Sequence, residues 1–531
     1  MLPRTALIQL GKLVAKDIAA DGPVGDGLAE VGNALAAHPD TVIELFDLVA
    51  KENAKRKPND TLVEAFAYMI GRALDTLRFA VERNFPEAIE AVAAARAKVL
   101  SLARNGKLEP GTLLLMLRQF VIAKLDLGEE LQSVMVTLTE GQPVAAAPGK
   151  EDVDRFLADL AEEYDGDVFA FQAHLAEDAS AFPESSRAGI AAAVLAAPDP
   201  ALREAAIGWL LDEGPAPRRD VANLLEHAAA AGLVSGTMLR RMITLRNWVP
   251  DGDRSALDAA IRARRQKGVE CAASKTAEVK DVIASGVDGS GAQSVFILIK
   301  EGRKHAVASL LLKQGIGVRD AWVRSGLTKS DAEMFLSRVE IELDIYDSTM
   351  DFVHLALAHF LAVNRASGVM PPFGLVDFVE RTGLTAVNPD TVSVEGLVAR
   401  LADDIPARRM MPSAVAKSIK RSADWDANFT FLDTWFEDDG AVDALLDGKR
   451  LAAKRRAALL LAEFLPARRA RWAEILAWTA LTLKHDELMA DSWIDLALVA
   501  RELLGDRPLA DIPFMAYVAA MTVEAWKSRQ P

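Results

Sequence analysis

The chain has a single cysteine, Cys271, among 531 residues. No intramolecular disulfide and no multi-cysteine metal centre can form within it, and a reducing compartment, the cytoplasm, is the expected location. Positive charge is in deficit: 61 Lys and Arg against 76 Asp and Glu leave a formal net charge of -15. That balance opposes non-specific attraction to nucleic acid or anionic lipid. Long apolar runs are missing as well. The densest, 352–363 and 475–483, fall short of the roughly 20 residues that cross a bilayer, so both read as buried helices and no membrane contact is expected. The opening MLPRTALIQLGKLVAKDIAADG holds Lys12, Lys16 and Asp17 where a secretory leader needs an unbroken apolar core, and it reads as a first helix.

Motifs for chemistry are equally scarce. A phosphate-cradling loop needs glycines followed by Lys and Ser or Thr at a helix start, and Gly106-Lys107, Gly149-Lys150 and Gly448-Lys449 all lack that context. Gly286, Gly289 and Gly291 precede an apolar run, whereas a dinucleotide fingerprint follows a strand and opens a helix; they read as a flexible turn. No serine sits in a G-x-S-x-G elbow. Cys271 stands beside Glu270, which would raise its pKa, so it reads as a bystander thiol. No cofactor is expected.

What the chain does have is helical periodicity and 51% hydrophobic residues. Leu62–Phe79 and Leu113–Leu127 place apolar residues three and four apart with charges opposite, predicting helices with one buried face. Prolines and glycines at 58–60, 105–111, 183, 198–200 and 214–217 keep the helices short. The expected fold is all-α, an array of helix pairs. It divides into an N-terminal helical domain (1–140), a linker of Gln, Pro, Ala and Gly (141–152), a repeat-like domain (153–385) and a C-terminal helical domain (386–531). One segment departs from the rule: VFILIK at 295–300 is β-branched, and a small hairpin is expected within 294–313, although HAVASLLLKQG at 305–315 by itself reads as a short helix.

From Pro183 to Arg265 the rhythm is five helices, at 183–196, 199–212, 216–231, 235–248 and 253–266. Within it, Pro200, Arg203, Ala206, Ile207 and Leu210 follow the proline, arginine and small-or-large apolar order of a repeat helix. This stretch resembles a HEAT repeat. The resemblance implies a curved scaffold that binds a partner along its concave face.

Three constellations are candidates for a site. Glu340, Asp344, Asp347, Asp351 and His354 fall within about 80° of one another if 340–354 is one helix. Asp351 and His354 then have the i, i+3 spacing that presents a carboxylate and an imidazole to one metal, with Asp347 one turn before. Residues 318–345 read as a helix, a Gly-Leu-Thr turn and a second helix, a helix-turn-helix arrangement in which Asp331 and Glu333 stand where DNA contacts want bases or amides. The third is charge. Between 433 and 447 lie six acids and no base, followed between 449 and 471 by eight bases against Glu463 alone. Trp425, Trp435 and Trp472 flank this block.

The leading expectation is therefore a scaffold or adaptor that binds a protein partner through basic helices. Its contact residues would be Arg240, Arg241, Arg262, Arg264 and Arg265 in one region, and Arg455, Arg456, Arg468, Arg469 and Arg471 in the other. A nucleic-acid regulator using 318–345 and a metal-dependent helical bundle centred on Asp347, Asp351 and His354 are the alternatives.

Overall fold

A computed structural model describes residues 2–19, 31, 34, 35, 38–141, 150–180, 182, 184–273, 277–489 and 491–529. Most of the linker expected at 141–152 lies outside these residues, as does Pro183. Contacts divide the chain into two units: residues 1–158 with 174–190 and 439–444, and residues 159–173 with 191–438 and 445–531. The described residues are mostly helical.

The first unit is built from α1 (Arg4–Ala19), α2 (Val42–Asn53), α3 (Asp60–Glu82), α4 (Pro86–Arg104), α5 (Pro110–Ile122) and α6 (Glu129–Gly141). The long α3 is the hub, packing on α1, α2, α4 and α5. Its buried residues Val63, Phe66, Ile70, Ala73, Leu74 and Leu77 recur three and four apart, the stripe the sequence shows. Asn59 caps it by accepting from Leu62 N. Helix α5 ends earlier than its periodicity suggests. Lys124 adopts φ 53°, and Leu125 N turns back to Phe120 O, which closes the helix at Ile122 while Leu125 and Leu127 remain buried.

Chain order continues through α7 (Lys150–Glu163), α8 (Val168–Ser180) and α9 (Glu184–Leu195) into α10 (Pro200–Ala205), α11 (Pro215–Ala231), α12 (Gly236–Leu245) and α13 (Arg254–Gln266). These fit the five expected helices within a few residues, except that the second changes to a 3-10 form over Ala206–Leu211. Prolines at the first turn of α10 and α11 begin helices at no hydrogen-bonding cost.

The second unit corrects the all-α expectation. Strands β1 (Glu278–Ser285), β2 (Ala292–Glu301), β3 (Lys304–Lys313), β4 (Gly317–Leu327) and β5 (Ile345–Asp347) form an antiparallel sheet in the order β4-β3-β2-β1-β5. VFILIK is the middle of β2, and the 305–315 segment read as a helix is β3, paired to β2 from Ala292↔Lys313 to Glu301↔Lys304. Gly302, at φ 61°, supplies the positive φ that a tight two-residue hairpin turn needs. The sequence misleads here because both faces of β3 are covered, so no polar–apolar alternation marks it as a strand.

One sheet face is covered by α14 (Lys329–Glu342), with Ile283, Phe296 and Val307 packed on Ala332 and Leu336. The opposite face places Val295, Ile297, Ile299, Ala306, Ala308 and Leu312 at 0% exposure. There α15 (Met350–Ser367) and α16 (Gly374–Thr382) pack on β4. Asn364 of α15 ties down the start of this edge strand: its amide oxygen accepts from Val318 N at 2.8 Å, and its amide nitrogen donates to Ile316 O and Val318 O. Asn364→Leu should cost about 2–3 kcal/mol in chemical denaturation, because the buried Val318 N–H loses its acceptor. A loss below about 0.5 kcal/mol would mean that water replaces the amide.

The chain ends with α17 (Val394–Asp404), α18 (Pro412–Arg421), α19 (Gly440–Leu446), α20 (Ala453–Leu459), α21 (Arg469–Leu483), α22 (Ser492–Leu504) and α23 (Pro513–Arg529). The break expected near 386 falls inside the second unit. Asp390 N donates to Ala358 O and Val392 N to His359 Nδ1, which strap this loop to α15.

Candidate functional site

Two of the five arginines of the first group are internal. Arg240 and Arg241 of α12 both pair with the buried Glu380 of α16. Arg241 also reaches Glu204 and lies 4.6 Å from the Phe169 ring centroid, and Arg240 donates to the carbonyls of Ala272 and Ala273. These two guanidiniums hold the fold and present no free charge. Arg262 and Arg265 of α13 are exposed and Arg264 is half-buried. They sit in the last turns of their helix, where cations complement the helix dipole.

The same network holds Asp377, which burial pushes up to about 6 despite its hydrogen bond to Arg381. A carboxyl that binds its proton more tightly folded than unfolded adds stability at low pH and loses it as pH rises through the folded value. Asp377→Asn removes that dependence. The stability difference between the variant and the wild type should move in favour of the variant by about 2 kcal/mol from pH 4 to pH 7 in urea unfolding. A flat difference would show that the carboxylate is fully compensated by its arginines.

The acidic stripe is not one helix. Helix α14 stops at Glu342, Leu343 is extended, and Asp344 turns away to accept from Thr430 N at 2.8 Å and from Phe431 N. Asp347 lies on β5, where its backbone N donates to Asp486, and burial together with Asp486, Asp281 and Glu487 raises its pKa. Asp351 and His354 are on α15. The trio Asp347, Asp351 and His354 therefore forms no ligand set, and among the described residues no group of three His, Cys, Asp or Glu side chains is arranged to hold a metal ion. The helix-turn-helix expectation fails at the same place: 317–327 is strand β4, and Thr328 with Asp331 makes the capping box of α14.

Asp351 and His354 do share one feature. They line a depression of about 290 Å³ with Leu355 and Ala358 of the same helix, Asp390 and Val392 of the strap, and Arg400 of α17. Sequence reasoning missed Asp390 and Arg400, because nothing local marks a loop and a distant helix as neighbours of α15.

In the C-terminal block the acids and bases partly neutralise one another. Glu437, 4% exposed, accepts from Trp472 Nε1 at 2.7 Å and pairs with Arg471, with Arg468 at 3.9 Å. Arg469 donates to the carbonyls of Leu503, Gly505 and Arg507, closing the end of α22. Arg456 lies over the Trp526 ring. Trp425, Trp435 and Trp472 are all buried, around Phe514. That leaves Lys449, Arg450, Lys454 and Arg455: all are exposed, and among the described residues none has a side-chain hydrogen bond or ion pair. Lys454 and Arg455 stand in the first turn of α20, where the helix dipole disfavours positive charge. Fold stability does not account for them.

The chain is thus a mostly helical protein with a five-stranded antiparallel sheet, and three of its segments match known domain families. Residues 183–268 match the family described as Y4lR second domain, 274–377 a domain of unknown function (DUF7401), and 395–527 the Y4lR C-terminal helical domain. The "Uncharacterized protein y4lR" of Sinorhizobium fredii (strain NBRC 101917 / NGR234) is 26% identical over 521 residues, spanning 96% of this chain and 93% of that protein. No solved structure matches.

Proposed function

We propose that the protein is a cytoplasmic adaptor that holds an acidic segment of a protein partner on the basic surface at 449–455. The observation that carries this reading is the quartet Lys449, Arg450, Lys454 and Arg455, exposed and, among the described residues, unpaired in a chain of net charge -15. Short acidic peptides suit it better than a nucleic-acid duplex. A duplex carries far more phosphates than four cations neutralise, and a chain of net charge -15 repels the remainder. The helix array at 184–266, with its HEAT-like register, suits a scaffold, and a single cysteine suits a reducing cytosol.

The test is fluorescence anisotropy with a labelled Asp/Glu-rich peptide of about a dozen residues at ~50 mM salt, with unlabelled duplex DNA as competitor. The expected result is saturable peptide binding that weakens steeply as salt rises, and that the duplex displaces poorly. Absence of binding at ~50 mM salt, or a duplex that binds more tightly than the peptide, overturns the proposal.

A further inference from the structure

The depression over α15 brings opposite charges together without pairing them. Asp351 and His354 rise from the first two turns of α15, Asp390 comes from the strap, and Arg400 comes from α17. All four are exposed, and among the described residues none of their side chains makes a hydrogen bond or an ion pair. Between them lies an apolar floor of Leu355, Ala358 and Val392. The wall is preformed, because the strap is fixed on both sides of Thr391 by the bonds from Asp390 N to Ala358 O and from Val392 N to His359 Nδ1. At about 290 Å³ the space suits a ligand near the lower end of the small-molecule range.

We infer that this depression binds a small zwitterion, an α-amino acid with a short aliphatic side chain. Arg400 receives the carboxylate, for which its planar guanidinium is matched, and Asp351 and Asp390 receive the ammonium. The aliphatic side chain rests on Leu355, Ala358 and Val392. A purely anionic ligand meets two carboxylates and a purely cationic one meets Arg400, so selectivity follows from needing both charges on one molecule. This site is independent of the basic surface at 449–455.

Calorimetric titration of the full chain with L-valine, N-acetyl-L-valine and L-valinamide tests the inference. Valine binds one to one. The acetylated probe, without an ammonium, and the amide, without a carboxylate, each bind at least about tenfold more weakly, as loss of a charged hydrogen-bonding partner requires. Arg400→Ala weakens valine by a similar factor and leaves valinamide as tight or tighter; Asp390→Asn weakens valine and leaves N-acetylvaline as tight or tighter. Both substitutions fall on exposed side chains that make no hydrogen bond or ion pair among the described residues, and unchanged thermal unfolding confirms that the variants are folded. Equal affinity for all three probes, or no heat from valine up to about 10 mM, overturns it.

Discussion

Gly289→Ala is expected to unseat the sheet from the C-terminal helices, at a cost of about 4 kcal/mol. A Cβ at this position would lie 1.7 Å from Thr434 O and 3.0 Å from Trp435 Cα, and a clash with backbone cannot be relieved by a rotamer change. The turn would have to withdraw. It would take with it the bonds from Gly289 N to the Thr434 hydroxyl, from Val287 N to the Thr479 hydroxyl, from Trp435 Nε1 to Val287 O, and from Arg471 to Gly289 O. Overpacking of about 1–3 kcal/mol and one or two orphaned buried groups at about 1–3 kcal/mol each give that figure. Gly302→Ala is the control: its Cβ meets nothing within 4 Å, so only its φ of 61° opposes the change, at about 1 kcal/mol. Urea denaturation of both variants compares them, and equal losses would mean that the turn is not seated as described.

Charge reversal of the basic surface, Lys454→Glu with Arg455→Glu, should weaken binding of an acidic peptide about a hundredfold at low salt. Two attractions become two repulsions, and like-charge juxtaposition at an interface costs several kcal/mol. The fold itself should not suffer. The new carboxylates stand in the first turn of α20, where negative charge suits the helix dipole, so unfolding should be unchanged or shifted slightly upward. Lost binding with preserved stability separates a contact surface from a structural one. Equal charge reversal at Arg468 and Arg471 would instead strand the buried Glu437 and destabilise the protein, because those two arginines are its partners.

These residues show how far the sequence can be read. The helices of 184–266 are legible because their starts are marked locally: α10 and α11 begin at Pro200 and Pro215, and Ser235 caps α12 at Gly236. The sheet is legible only at VFILIK. Strand β3 is covered on both faces, so Ala306, Ala308, Leu310 and Leu312 carry the composition of a helix, and only pairing with β2 decides the matter. The acidic stripe from 340 to 354 fails for a tertiary reason: Asp344 is drawn out by the N–H groups of Thr430 and Phe431, nearly ninety positions away. The glycines at 286–291 read as a loose turn, yet they are a plug set against Phe431, Thr434 and Trp435. For the charges, composition shows that bases cluster at 449–471 but not which are free. Burial decides that: Glu437 captures Arg471 with Arg468 nearby, the end of α22 captures Arg469, and Lys449, Arg450, Lys454 and Arg455 are left to solvent.

Hydrogen-exchange mapping of the full chain with and without the acidic peptide shows whether 449–455 is the contact surface. Slowed exchange is expected at 447–459, the turn and helix of the basic surface, with no change at 254–267, where Arg262 and Arg265 also face solvent. Protection confined to 254–267, or no protection anywhere at saturating peptide, would contradict it.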